Sequence, residues 1–137
     1  MMERVLILCT HNSARSQMAE GFLRHTAGNR FEVYSAGTEQ TQVRPEAIEA
    51  MRKRGIDISR HESKTLDRFL GESWDYVITV CDAAHESCPV FPGARHRLHW
   101  SFPDPASVAG PERQAAFDDV AKDIQDRLRD WLRERRP

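Results

Sequence analysis

The stretch RVLILCTHNSARSQMAE, residues 4–20, changes character twice. Val5-Leu6-Ile7-Leu8 is an apolar run of buried-strand length, and it ends on Cys9. Five residues separate Cys9 from Arg15, and Ser16-Gln17-Met18-Ala19-Glu20 then opens a helical pattern. A strand, a tight loop and a helix start in that order turn amide N–H groups toward one point. The helix dipole adds roughly half a positive charge there. Arg15 supplies a planar fork of donors suited to a tetrahedral oxyanion. The same field favours a thiolate, since cysteines at helix N-termini beside Arg titrate at about 3.5–7.5. Residues 9–16 therefore read as an oxyanion cradle with Cys9 as the nucleophile at its base. The competing reading is a cysteine that only packs at a strand end.

Outward from this stretch the chain alternates. Met18, Ala19, Phe22, Leu23 and Ala27 recur at helical spacing, with Gly28-Asn29 as a stop. Phe31–Ala36 alternates like a strand, and Gly37 opens a loop. Pro45 suits a first helical residue, ahead of the apolar face Ala47, Ile48 and Met51. Leu66, Phe69 and Leu70 predict a short helix. Residues 74–81, WDYVITVC, form the second buried-strand signal, and they too end in a cysteine. Residues 95–100 predict an edge strand, followed by the Pro-rich loop Phe102-Pro103-Asp104-Pro105. Phe117, Val120, Ile124, Leu128, Trp131 and Leu132 mark a long amphipathic helix. The pattern predicts one α/β domain over residues 1–137, with a parallel sheet of about four strands and helices on both faces. Ligands of such sheets bind beyond the carboxyl ends of the strands. Cys9 and Cys81 fall at strand ends and Asp104 shortly after another, so the topology is expected to gather all three at one site.

Composition narrows the functional classes. The 137 residues carry a formal net charge of -1 and are 39% hydrophobic and 30% charged, as expected of a soluble globular chain. No basic excess points to nucleic acid. The ending Arg133-Glu134-Arg135-Arg136 reads as a solvated helix end. No stretch has the pattern of a signal peptide or the roughly 20 apolar residues of a membrane span. A cytoplasmic protein and a monomer are the expectation. Three cysteines in a reducing compartment favour catalytic or metal-binding thiols over a disulfide framework.

The two later cysteines stand in Val80-Cys81-Asp82-Ala83-Ala84-His85-Glu86-Ser87-Cys88-Pro89. Cys81, His85 and Cys88 could supply three metal ligands, but the spacing is not that of a zinc knuckle and no second pair closes the site. No metal is expected. An idle pair is possible, yet a nucleophilic Cys9 whose product is a disulfide needs resolving thiols nearby, which favours a redox relay. Asp104 is either a turn acid beside proline or a general acid facing Cys9; the cradle favours the second. Within the cradle, Thr10, His11 and Ala14 contribute backbone N–H groups. Asn12 is suited to left-handed backbone angles and internal hydrogen bonds. Ser13 and Ser16 can donate to the thiolate or the oxyanion, and Ser16 could instead be only a helix cap.

The motif Cys9-x5-Arg15-Ser16 resembles the signature of the low-molecular-weight phosphotyrosine phosphatase superfamily. Over the whole chain the likeness is to the thioredoxin-coupled arsenate reductases on that fold. It rests on residues 9–20, on Ser35-Ala36-Gly37, on Cys81 and Cys88-Pro89, and on His99-Trp100-x-Phe102-x-Asp104-Pro105. The resemblance implies that arsenate is the substrate, with phosphate and sulfate as competitors. It implies that Cys9 is the nucleophile, Arg15 the oxyanion clamp, Asp104 the acid, and Cys81 and Cys88 the relay that thioredoxin recycles. No bound cofactor is implied. Some members hold potassium through groups matching Asn12, Glu20 and Ser35 plus a Thr and an Asp. Here Glu62 and Lys64 stand at the last two positions, where a fixed Lys64 ammonium could replace the ion, so potassium is not predicted. Ala106-Ser107 follow Asp104-Pro105 where tyrosine phosphatases of the superfamily place tyrosines, so no aromatic rim is expected. The competing functions are a phosphomonoesterase and a thiol-based metalloid sensor. The sensor lacks a helix-turn-helix with a basic face.

Overall fold

The structure is a computed structural model that describes residues 2–39, 41–80 and 93–135. Its described strands are β1 (Glu3–Cys9), β2 (Phe31–Gly37), β3 (Trp74–Thr79) and β4 (Ala94–His99). They form a single sheet, all parallel, in the order β2-β1-β3-β4. The described α-helices are α1 (Arg15–Ala27), α2 (Pro45–Arg52) and α3 (Arg113–Glu134). The α/β architecture expected from the alternation is the observed one. A parallel sheet needs both faces covered, which is why the β1 sequence is apolar at every position from Val5 to Cys9.

Side chains alternate across β1. Val5, Ile7 and Cys9 join the larger core with α1, α2 and α3, while Leu6 and Leu8 join a smaller core on the opposite face. That smaller core contains Leu66, Phe69, Trp74 and Val77, under a 3-10 turn at Leu66–Phe69 where the sequence predicted a short helix. In the larger core α3 buries Phe117, Val120, Ile124, Leu128 and Trp131. Each such side chain contributes about 1.5–3 kcal/mol on leaving water.

One expectation needs correction at the C-terminus. Arg135 is not simply a solvated residue past the helix end. Its guanidinium stacks over Tyr76 at 5.1 Å and over Trp131 at 4.7 Å, and its carbonyl accepts a 2.9 Å hydrogen bond from Arg30. An arginine stem lies along apolar surface at little cost, and the aromatic rings attract its charge.

The sheet register determines where chemistry can occur. Cys9 pairs with Gly37, Leu8 with Thr79, and Thr79 with His99, so the strand ends share one edge. The Val80 amide donates to the Leu8 carbonyl at 2.9 Å, carrying the chain after β3 to that edge. Residues 81–92, including Cys81, His85 and Cys88, lie outside the described residues. No helix among the described residues is long and apolar enough to cross a membrane.

Candidate active site

Cys9 ends β1 and is 4% exposed, at the start of the loop that turns into α1. The carbonyls of that loop all face outward. Thr10 O accepts from the Glu39 amide at 2.9 Å and the Thr38 hydroxyl at 3.1 Å. His11 O accepts from Ser63 Oγ at 2.9 Å and Thr41 Oγ1 at 3.1 Å. Asn12 O accepts from Gln17 Nε2, Ser13 O from the Arg44 amide, and Ala14 O from the Met18 amide. A trans peptide carries its N–H opposite its C=O, and the chain has no cis bond among the described residues. The amides of residues 11–15 are thereby turned inward, toward the N-terminal end of α1. This is the arrangement that binds anions.

Two features allow so tight a loop. Asn12 has φ 49, a left-handed conformation that Asn tolerates better than most residues. Gly37, at the end of β2, leaves room behind it: a Cβ there would stand 2.6 Å from Thr10 O and 2.8 Å from Asn12 N. Asn12 is fully buried. Its Nδ2 donates to Ser16 Oγ at 2.8 Å and Ser35 Oγ at 2.9 Å, and its Oδ1 accepts from Gln17 Nε2 and the Lys64 amide. Ser16 is not the helix cap. Ala14 holds that position without a side-chain bond, and the Ser16 hydroxyl accepts from Asn12.

Arg15, the first residue of α1, is held from outside the loop. Its Nη1 donates to Phe102 O at 2.9 Å, and its Nη2 lies 3.9 Å from Asp104 Oδ2. Asp104 divides its carboxylate between both roles considered for it. Oδ1 accepts from the Ala106 amide at 3.0 Å, capping a short turn at Pro105–Ser107, while Oδ2 faces Arg15. A cavity of about 50 Å³ is lined by Cys9, Ser13, Ala14, Arg15, Arg44 and Asp104, with His11 and Ala106 at its sides. It has room for one small oxyanion or a few waters. The Ala106 methyl leaves that wall without an aromatic ring. A wider groove of about 460 Å³, lined by Thr41 and Val43, shares His11, Ser13 and Arg44 with it.

Behind the loop lies a buried polar network, in which Gln17 and His61 join the Asn12, Glu20, Ser35 and Lys64 group expected from the sequence. Gln17 is fully buried and donates to Asn12 and to Glu62 O, and its Oε1 is 3.0 Å from His61 Nδ1. Glu20, 3% exposed, accepts from the Ser35 hydroxyl and lies 3.9 Å from Lys64 Nζ and 3.6 Å from His61 Nδ1. Burial pushes the pKa of Lys64 and of His61 down, against the opposing pull of Glu20. The Lys64 ammonium thus stands beside Glu20, with a 2.9 Å bond to Glu62 O. Among the described residues no group of three or more His, Cys, Asp or Glu side chains is placed to hold a metal. Arg44 also escaped notice; only its place before Pro45, which favours extended backbone, was readable.

A sheet of this order, with a Cys-x5-Arg loop between β1 and α1, defines a class of protein, and the comparisons identify it. The model of the family described as low molecular weight phosphotyrosine protein phosphatase matches residues 4–136, and the chain belongs to that family. Within it, the chain is similar to particular relatives. Arsenate reductase 1 of Staphylococcus haemolyticus (strain JCSC1435) is 43% identical over 122 residues, 89% of this chain and 92% of the relative. The arsenate reductase of Bacillus subtilis (strain 168) is 41% identical over 129 residues, 93% of each chain. A solved arsenate reductase in the phosphate binding state matches with a TM-score of 0.84 at 30% identity, covering 97% of this chain and 98% of that one. A thioredoxin-dependent arsenate reductase of Corynebacterium glutamicum matches with a TM-score of 0.71 at 30% identity, over 98% of this chain and 64% of that one.

Proposed function

We propose that this chain, as one domain over residues 1–137, reduces arsenate to arsenite in arsenic detoxification. The observation that carries the reading is the meeting of Cys9, Arg15 and Asp104 around one oxyanion-sized cavity at the floor of an inward-facing amide loop. The likeness to arsenate reductases over about nine-tenths of the chain supports it. Residues 9–16 bind the oxyanion, with Arg15 favouring the charge that develops on its oxygens. The Cys9 thiolate attacks arsenic while Asp104 protonates the departing oxygen. Cys81 then attacks the Cys9 sulfur. The As–S electron pair goes to arsenic, which leaves as arsenite, and a Cys9–Cys81 disulfide forms. Cys88 attacks Cys81, releasing Cys9 as a thiolate and leaving a Cys81–Cys88 disulfide. A dithiol protein of the thioredoxin type reduces that bond and restores the enzyme. The protein needs no bound cofactor, and works in the cytoplasm as a monomer.

Phosphate and arsenate have the same shape and charge, so the cradle also favours weak phosphomonoester hydrolysis through Cys9 and Asp104. The deciding experiment couples the protein to thioredoxin, thioredoxin reductase and NADPH. Arsenate-dependent NADPH oxidation is expected. Its absence, alongside robust turnover of p-nitrophenyl phosphate, would make phosphatase the main activity.

A further inference from the structure

The charge around the cavity does not add up on Arg15 alone. Near neutral pH arsenate carries more than a single negative charge. Arg15 is already partly committed: its Nη1 donates to Phe102 O at 2.9 Å and its Nη2 lies 3.9 Å from Asp104 Oδ2. An anion entering would meet one partly engaged guanidinium plus the loop amides. Arg44 changes this balance. It lines the same cavity, and it also lines the wider groove beside it. The acids nearest it along the chain are engaged elsewhere: Glu46 pairs with Arg113 at 2.9 Å, and Glu39 lies 3.0 Å from His11 Nε2. Among the described residues no carboxylate forms an ion pair with Arg44.

Arg44 is also held in place. Its amide donates to Ser13 O of the cradle at 2.8 Å, its carbonyl accepts from the Ala47 and Ile48 amides, and Pro45 fixes the next backbone angle. Its backbone is thus anchored to the loop that binds the anion, and its half-buried residue makes no ion pair among the described residues. A guanidinium kept at a binding cavity without a carboxylate partner is suited to a ligand that brings the negative charge itself.

We propose that Arg44 is a second oxyanion-binding residue, so that the substrate is held between the Arg15 and Arg44 guanidiniums with the loop amides beneath. The inference rests on residues 9–16 being the oxyanion cradle. It also implies selectivity for the more highly charged anion, because Arg44 adds a second cation to the cavity.

The test is calorimetric titration of inorganic phosphate, which does not react, into the reduced wild-type protein and into Arg44→Gln, Arg44→Lys and Arg15→Gln. Hydrogen bonds to charged groups are strong enough that Arg44→Gln should weaken phosphate binding by about tenfold to a hundredfold. Arg44→Lys, which keeps the charge, should lose markedly less. In the thioredoxin-coupled assay, Arg44→Gln should raise KM for arsenate by a similar factor with kcat nearly unchanged, the signature of lost ground-state binding. If Arg15→Gln abolishes phosphate binding while Arg44→Gln leaves both Kd and KM unaltered, the inference is overturned and the cradle stands. If the wild-type protein binds no phosphate, the cradle and the inference fall together. Arg44→Lys binding as poorly as Arg44→Gln would also count against a role for charge.

Discussion

The Asn12 side-chain amide works in four directions, to Ser16, Ser35, Gln17 and the Lys64 backbone, while its own backbone sits at φ 49. Asn12→Ala would strand those partners in the interior and add left-handed strain, for a loss of about 3 kcal/mol in urea unfolding. Asn12→Gly should recover only the strain, roughly 1–2 kcal/mol of it; recovery of the whole loss would mean the hydrogen bonds matter little. Gly37 is demanding in another way, since any Cβ would press on the peptides of Thr10 and Asn12. Gly37→Ala should cost about 1–3 kcal/mol and weaken phosphate binding as the loop is pushed forward. At Asp104 the prediction is kinetic. Asp104→Asn keeps the cap on Ala106 but removes the proton, and proton transfer commonly contributes about 10²–10⁴ in rate. A fall of roughly 100-fold or more is expected, and a near-normal rate would leave Asp104 as a turn residue alone.

At the scale of elements, the segment joining β3 to β4 contains Cys81 and Cys88, the pair proposed as the relay. It follows directly on Val80, whose amide is bonded to Leu8. Cys9→Ser should abolish reduction and phosphatase activity together, because both need the thiolate. Cys81→Ser and Cys88→Ser should stop repeated turnover yet spare p-nitrophenyl phosphate hydrolysis. Loss of that hydrolysis in a folded Cys88→Ser protein would argue against the relay. Bridging two cysteines needs Cα atoms within about 7 Å. Seven residues of helix would separate Cys81 from Cys88 by about 10 Å along the axis. If residues 82–88 form a helix, a Cys81–Cys88 bond requires it to unwind or loop out. Asp82, Ala83, Ala84, Glu86 and Ser87 offer little apolar surface to resist. Hydrogen exchange should show lower protection across residues 82–93 after oxidation; equal protection in both redox states would remove this step from the cycle.

Across the whole molecule, α1, β2 and residues 61–64 are tied together by the Gln17, Glu20, His61 and Lys64 network. Burial is the main reason the His61 pKa is lowered, with Arg24 and Lys64 adding to it while Glu20 and Asp57 oppose. The folded state then prefers neutral His61, whereas the unfolded chain takes up a proton below about 6.5. The unfolded state binds more protons in that window, so stability falls as pH drops from about 6.5 toward the lower folded value. It levels off only when the folded form protonates too. Thermal unfolding of wild type and His61→Gln across this range should differ in slope, with the variant losing less stability on acidification. Parallel profiles would show that His61 has no such linkage.

Local order in the chain already contained much of this protein. An apolar run ending in Cys9, five residues, and Arg15 at a helix start define a loop whose chemistry follows from covalent spacing and backbone dipoles alone. The strand and helix periods likewise placed the sheet and the long C-terminal helix, because burial on two faces or on one leaves its period in the sequence. The short helix expected near Leu66 is present as a 3-10 helix, whereas Arg135 lies on Tyr76 and Trp131, where partners remote in sequence outweighed local preference. The places of Arg44, Gln17 and Gly37 are set by contacts across the fold, with Ser13, Glu62 and Thr10 respectively. No period or motif encodes such a contact. It exists only once the parallel sheet has brought the ends of its strands to one edge.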